Sequence, residues 1–185
     1  HPTFLSTVLA ELVISSSFGV IPTTLPLYLH RSFNFKPSMI GVVYSLLAGL
    51  YALTTPLVGV ISHRDSKLTD ILLCLFGMGS IAVALLLFGP SSFLRLATLC
   101  ESMRRRVWVW GASVIYGFGS SFAFVPLLPL MARSIRNEGR KYVDLANGMF
   151  VSCYFFGEML GQLFGSSLVH ALGLSLIHIS EPTRL

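Results

Sequence analysis

Five runs of apolar residues, each long enough to cross a lipid bilayer, decide most of what this chain can become. They cover about Phe4–Leu29, Met39–Ile61, Ile71–Gly89, Val107–Ala132 and Leu145–Leu168. About 18 apolar residues suffice to cross the roughly 30 Å hydrocarbon layer as a helix. Backbone polar groups in lipid must be satisfied internally, and for runs this long only the helix does so. The second and third runs hold no Asp, Glu, Lys or Arg, the first is broken only by Glu11, and the fifth only by Glu158.

The composition agrees. Hydrophobic residues make up 54% and charged residues 11%, whereas a soluble domain carries about a quarter charged residues. The mean hydropathy is +0.75. The net charge of +5 is spread over the loops Arg31–Ser38, Ser62–Asp70, Pro90–Arg106 and Arg133–Asp144 rather than gathered as a nucleic-acid footprint. The three cysteines are an odd number, and Cys74 and Cys153 lie inside apolar runs, so no disulfide framework is expected. No metal-ligand spacing, phosphate-binding glycine loop or Ser/His/Asp grouping is present, so neither a cofactor nor a metal is expected. The first run lacks the basic lead and cleavage site of a signal peptide. Lys/Arg asymmetry normally orients such a chain. Here loops one and three carry six basic residues, as do loops two and four, and the rule returns a tie.

The C-terminal stretch Leu174–Arg184 resembles the translated read-through of a sequencing-library adapter. The expectation is that residues 174–185 are a non-native tail and that the natural sequence is interrupted near Gly173. The alternative is the start of another helix, stopped by Pro182.

An internal repeat bears on mechanism. Ser16-Ser-Phe-Gly-Val-Ile-Pro-Thr-Thr-Leu-Pro-Leu27 in the first run parallels Ser120-Ser-Phe-Ala-Phe-Val-Pro-Leu-Leu-Pro-Leu130 in the fourth. Thr55-Pro-Leu-Val-Gly59 in the second parallels Gly161-Gln-Leu-Phe-Gly165 in the fifth. A unit of three spans must point the opposite way in its second copy, which is the inverted repeat of many secondary transporters. It implies a sixth span where the tail begins. Pro22 and Pro26, like Pro126 and Pro129, remove backbone donors and crowd the preceding turn, so both helices are expected to kink or loosen there. Such backbone is tolerated beside protein or a watery cavity. Together with the hydroxyls of Thr23, Thr24, Ser120 and Ser121, the prolines mark a candidate substrate path, although prolines are also common in membrane helices. Gly157, Gly161 and Gly165 recur every fourth residue, a spacing that admits a close helix neighbour.

Glu158 is the costliest residue to bury, at about 2.5–3.5 kcal/mol for a charge at mid-membrane depth. Desolvation favours its neutral form, and Gln162 lies one turn away on the same face. The pair suits proton coupling or cation binding; the alternative is a neutral acid tying two helices together. Glu11, two turns into its run, is a further candidate and could instead reach an interface by snorkelling. Tyr28, Tyr44, Tyr51, Tyr116 and Tyr154, with Trp108 and Trp110, either line a cation site through their ring faces or form interfacial belts and packing.

With these features placed, residues Phe4–Gly173 resemble the C-terminal half of the vesicular amine transporter family of the major facilitator superfamily, closest to its polyamine-carrying branch. The likeness rests on Thr55-Pro-Leu-Val-Gly-Val-Ile-Ser62 before a basic loop, on Pro126-Leu-Leu-Pro129, and on Gly157-Glu-Met-Leu-Gly-Gln-Leu-Phe-Gly165 before Ala171-Leu-Gly173. Gly59, Arg64 and Lys67 are similar to the superfamily's cytosolic loop motif, with His63 where that motif has Asp. The resemblance implies an exchanger of lumenal protons for cytosolic amines, with loops two and four cytosolic. Monoamine-carrying members have acidic residues at positions matching Ile21 or Pro22, Phe124 and Val151, and their absence here points away from a monoamine.

The expected fold is therefore all-α: a polytopic transmembrane bundle of five spans over residues 1–173, half of a facilitator with its last helix missing. The expected partners are the bilayer, a small organic cation, protons and the N-terminal half of the same protein, with no nucleic acid. A vesicular or organellar membrane and the plasma membrane both remain open. The rival readings are a non-transporting membrane receptor or scaffold, and an intramembrane enzyme. The latter would need a catalytic pair at membrane depth, where only Glu158 lies.

Overall fold

In the computed structural model, which describes residues 2–62, 67–88, 102–135 and 140–171, α-helix is the only regular structure among those residues. The first three apolar runs become α1 (Pro2–Phe33), α2 (Pro37–Ser62) and α3 (Lys67–Phe88), each beginning a few residues early. Pro2 and Pro37 open their helices, where the missing N–H would find no partner anyway. The fourth run is divided into α4 (Ser102–Phe124) and α5 (Leu127–Ile135), and the fifth is α6 (Arg140–Ala171). The adapter-like tail and Arg64 lie outside the described residues.

The link from α1 to α2 is three residues long. Asn34 takes a left-handed conformation, φ 53°, which asparagine tolerates better than most residues. The Phe35 N–H then turns back to donate to the Leu29 carbonyl at 3.3 Å, closing the end of α1.

The proline pairs behave differently from one another. In the first span α1 continues through Pro22 and Pro26 as one helix. Nearby hydroxyls bond carbonyls of that turn other than those of Phe18 and Pro22, the two that lose an N–H partner to the prolines. Thr23 and Thr24 each donate to the Val20 carbonyl at 2.8 Å, and the Tyr44 hydroxyl donates to the Ile21 carbonyl at 3.1 Å. In the fourth span the helix does end, at Phe124, and α5 starts after a turn at Val125–Pro126. There the hydroxyl on the preceding turn is committed elsewhere, since Ser121 bonds Thr54 and the Tyr51 carbonyl of α2. Only the Val125 N–H to the Ser121 carbonyl and the Leu130 N–H to the Pro126 carbonyl, both 3.1 Å, carry the helical path across.

Neighbouring contacts fix the directions. On α6, Gly157, Gly161 and Gly165 meet Leu12/Ser15, Ser16 and Val20/Thr23 of α1 in the same order, so α1 and α6 run parallel. On α4, Gly117 meets Leu47, Ser121 meets Thr54, and Arg133 beyond meets Ser62, so α2 and α4 are parallel too. The α3–α4 pair is antiparallel, Gly77 facing Ala123 while Gly119 faces Ser80. Exchanging first for fourth and second for fifth span converts one parallel pair into the other, as the sequence repeat requires. The contact points nearly coincide: Ser16–Gly161 in one pair and Ser121–Thr54 in the other.

The surface has the polarity of a chain in lipid. Leu5, Leu9 and Val13 of α1, Leu53, Leu57 and Val60 of α2, and Leu72, Leu75 and Phe76 of α3 point outward, while Thr7, Glu11, Ser15, Thr54, Asp70, Ser113, Ser120 and Ser121 are buried. Among the described residues, Phe4–Arg31, Pro37–Ser62, Lys67–Phe88 and Val107–Ile135 are long and apolar enough to cross a membrane. α6 has the length, 32 residues, but Glu158, Gln162 and four glycines make it less apolar than those four.

Candidate functional site

Four helices, two from each repeat, line a half-open cavity of about 630 Å³. Its wall is made by Phe18, Ile21 and Pro22 of α1, Tyr44, Leu47, Ala48 and Tyr51 of α2, Tyr116, Gly117, Ser120 and Phe124 of α4, and Phe150, Val151, Tyr154 and Phe155 of α6. Eight of the fifteen are aromatic and none is charged. The hub is Phe18, whose ring lies 5.9 Å from Tyr116, 6.1 Å from Phe124, and 6.4 Å from both Tyr51 and Tyr154. Three of these pairs are edge-on and the Tyr154 pair is tilted, geometries that rings prefer to a face-to-face sandwich.

The local sequence holds these rings in place. The Thr55 and Ser121 hydroxyls both donate to the Tyr51 carbonyl, at 2.8 and 3.0 Å, and Thr54 donates to the Leu50 carbonyl at 2.7 Å, pinning the turn that carries the Tyr51 ring. Ser120 donates to the Tyr116 carbonyl at 2.6 Å. The Tyr116 hydroxyl is buried with no hydrogen-bond partner among the described residues. Gly117 is required by proximity: a methyl there would come within 2.8 Å of the Leu47 carbonyl oxygen and 3.0 Å of Leu50. α2 and α4 therefore meet closely directly behind the cavity.

The sequence-predicted residues divide. Pro22 and Ser120 are on the wall. Thr23 and Thr24, one turn on, satisfy their own helix backbone, and Ser121 is buried between α4 and α2. Pro26 and Pro129 are half-buried and Pro126 is buried at the turn into α5; all three lie away from the wall. Glu158 is half-buried, its backbone carbonyl against Gly19 and its side chain within electrostatic reach of the Tyr154 phenol. The expected pairing with Gln162 is not formed, because Gln162 points outward and no hydrogen bond joins them. Glu11, for which an interfacial position was one option, is 0% exposed. Gly59 and Lys67 sit at the loop between α2 and α3, far from the wall in sequence and fold.

Of the five tyrosines singled out in the sequence, Tyr44, Tyr51, Tyr116 and Tyr154 converge on the cavity, while Tyr28 packs on Phe33 at the end of α1. Ile21, Pro22, Phe124 and Val151, which the resemblance led us to expect at the acidic positions of monoamine carriers, all lie on the wall, which is apolar at each of them. Phe18 is passed over by sequence reasoning; its signal is the Ser-Ser-Phe shared by the two repeat copies. The glycine spacing on α6 is a packing device. A methyl at Gly157 would come 2.8 Å from Ser15 Cβ, and one at Gly161 would press on the Ser16 backbone.

A second polar cluster closes one end of the bundle. The Ser62 hydroxyl donates to Asp70 Oδ1 at 2.6 Å, Arg133 Nη1 donates to Asp70 Oδ2 at 2.7 Å, and Arg133 Nη2 donates to the Ser62 carbonyl at 3.2 Å. Asp70 is 0% exposed and lies in the first turn of α3, where a negative charge suits the helix dipole.

Comparison with known proteins adds the remaining information. Over 165 residues the chain is 27% identical to the MFS-type transporter SLC18B1 of Homo sapiens, and 26% identical to those of Rattus norvegicus and Mus musculus. In each case 86% of this chain is covered but 34% of the relative, so the chain spans about a third of their length. No solved structure matches. The Major Facilitator Superfamily profile matches residues 7–180, beyond Gly173 and nearly from end to end. An all-helical, multi-pass integral membrane chain that this profile covers so fully belongs to the Major Facilitator Superfamily, a family of transporters and not of enzymes.

Proposed function

We propose that the protein containing this segment is a proton-coupled antiporter of a small organic cation, of the amine or polyamine kind, and that the aromatic cavity is this segment's part of the solute path. The observation that carries the reading is the cavity itself. Four tyrosines and four phenylalanines from α1, α2, α4 and α6 line it, with no competing charge among the lining residues. A cation over a ring face gains about 0.5–1 kcal/mol when exposed and about 2 or more when desolvated. Tyrosine hydroxyls add acceptors for ammonium protons. The chain's relation to transporters named MFS-type supports the transport class. In this reading α6, parallel to α1, is the fifth span, loops two and four are cytosolic, and the N-terminal half supplies the opposite wall. Proton exchange needs a titratable group close to that wall, and Glu158 beside Tyr154 is the nearest candidate, with Gln162 the next polar group on α6.

Uptake of radiolabelled amines by the full-length protein in lipid vesicles, driven by an imposed pH gradient, tests the reading. Tyr51→Ala and Tyr154→Ala should each weaken apparent affinity about 3- to 30-fold, the range for losing one ring face. Absence of any gradient-driven amine uptake would refute the antiporter and leave a receptor or scaffold.

A further inference from the structure

One buried group plays no part in the solute path. Glu11, in the third turn of α1, is 0% exposed, and neither carboxylate oxygen has a hydrogen-bond partner among the described residues. Thr7 and Ser15 lie one turn before and after it on α1; the Ser15 hydroxyl bonds the Glu11 backbone carbonyl instead of the side chain. α1 packs chiefly on α6 and α5 and also touches α4 and α2, from which the titratable neighbour is Tyr44, bonded to the Ile21 carbonyl. From α6 the titratable neighbour is the Cys153 thiol, within electrostatic reach of Glu11, while Glu158 lies farther along, beside Tyr154. From α5 the cation is Arg133, which is bonded to Asp70 and the Ser62 carbonyl. From α4 the buried titratable group is the Tyr116 phenol, on the cavity wall.

An ionised carboxylate with no cation, donor or solvent contact is strongly disfavoured, whereas the neutral acid costs far less to bury. Among the described residues, Glu11 has surroundings that a neutral acid tolerates and a carboxylate does not. The seam around it is tight: Gly157 lies so close to Leu12 and Ser15 that a methyl would come within 2.9 Å of the former's carbonyl oxygen and 2.8 Å of the latter's Cβ. Ionisation demands water, and water demands that the two helices move apart.

We infer that Glu11 is a proton-binding site enclosed in the α1–α6 seam, occupied while the helices are packed and emptied only when they part. The same helices carry Phe18, Pro22, Val151 and Tyr154 of the cavity wall, so proton release and rearrangement of the wall are one event. This deepens the antiporter reading and rests on it only for what the proton drives.

Infrared difference spectra of the full-length protein in lipid vesicles at neutral pH provide the test. The carbonyl stretch of a protonated carboxyl should vanish in Glu11→Gln, persist in Glu11→Asp, and persist in Glu158→Gln. The neutral amide mimics the protonated acid, so the Gln variant is expected to fold. In a protein whose only cysteine is Cys153, labelling by a maleimide should rise with pH more steeply in wild type than in Glu11→Gln. Loss of the band in Glu158→Gln instead, its absence from wild type, or its removal by adding sodium would overturn the site. A correct band together with no amine uptake by wild type would sink the antiporter reading and leave the proton site standing.

Discussion

The seam between α1 and α6 makes a quantitative demand on Gly161. Converting it to alanine adds a methyl whose carbon would lie 2.8 Å from the Ser16 carbonyl carbon and 2.9 Å from its Cα. These are backbone atoms and cannot rotate away. The Ser16 carbonyl oxygen lies closer still, so the helices must separate by more than the roughly 0.6 Å that would bring the carbonyl carbon from 2.8 Å to ordinary contact at 3.4 Å. A gap of 0.5–1 Å forfeits about a quarter to a half of each dispersion contact, and overpacking of this kind costs about 1–3 kcal/mol. At Gly79, on α3, an added methyl would meet nothing within 4 Å. Gly79→Ala should therefore be neutral or stabilise by up to about 1 kcal/mol through helix propensity. The predicted gap between the two variants is about 1–4 kcal/mol, readable by denaturant titration of the purified protein in lipid bicelles. Gly19→Ala presses on Glu158 and Gln162 backbone from the other side. Because one separation relieves both clashes, the double variant should cost less than the sum of the two singles. If Gly161→Ala is as stable as Gly79→Ala, the backbone-close seam is wrong, and with it the enclosure of Glu11.

Arg133→Ala should destabilise by about 3–5 kcal/mol, the cost of leaving one member of a buried pair, since Asp70 is 0% exposed; thermal unfolding in bicelles would show it, and a silent variant would refute the clasp between α2, α3 and α5. Glu158→Gln in the full-length protein should abolish uptake driven by a pH gradient while sparing solute exchange; normal gradient-driven uptake would reduce Glu158 to a helix contact. Vesicles holding only residues 1–185 should accumulate no more amine than empty ones, because the cavity then lacks its opposite wall; saturable uptake by them would contradict that division of the path. Ser121→Ala should lower stability by about 1 kcal/mol through its lost bonds to Thr54 and the Tyr51 carbonyl, whereas Ser152→Ala, whose exposed hydroxyl only back-bonds to the Gly148 carbonyl, should not.

The sequence by itself determined the helical class, the approximate course of the apolar runs and the inverted repeat, but not the division of the fourth run into α4 and α5. Each follows from signals local to a run: apolar length against bilayer thickness, proline and glycine spacing, and the Ser-Ser-Phe and Leu-Pro-Leu pairs. It also marked the aromatic residues as possible cation ligands, and four of the five tyrosines meet at the cavity. Tertiary structure alone decided what each face of a helix touches. In water an apolar face turns inward and a polar face outward, so hydropathy reads burial directly. In lipid both the surroundings and the core are apolar, and that distinction is lost. For this reason sequence reasoning ranked Glu158 above Glu11, yet Glu11 is the fully enclosed acid and Glu158 is half-exposed. The same cause hid the fate of the proline pairs. α1 runs through Pro22 and Pro26, whereas α4 ends at Phe124 before the turn at Val125–Pro126, and hydroxyls tie both regions to α2, Tyr44 to the Ile21 carbonyl and Ser121 to the Tyr51 carbonyl. Those partners lie 23 and 70 residues away in sequence, and only the packed bundle brings them together.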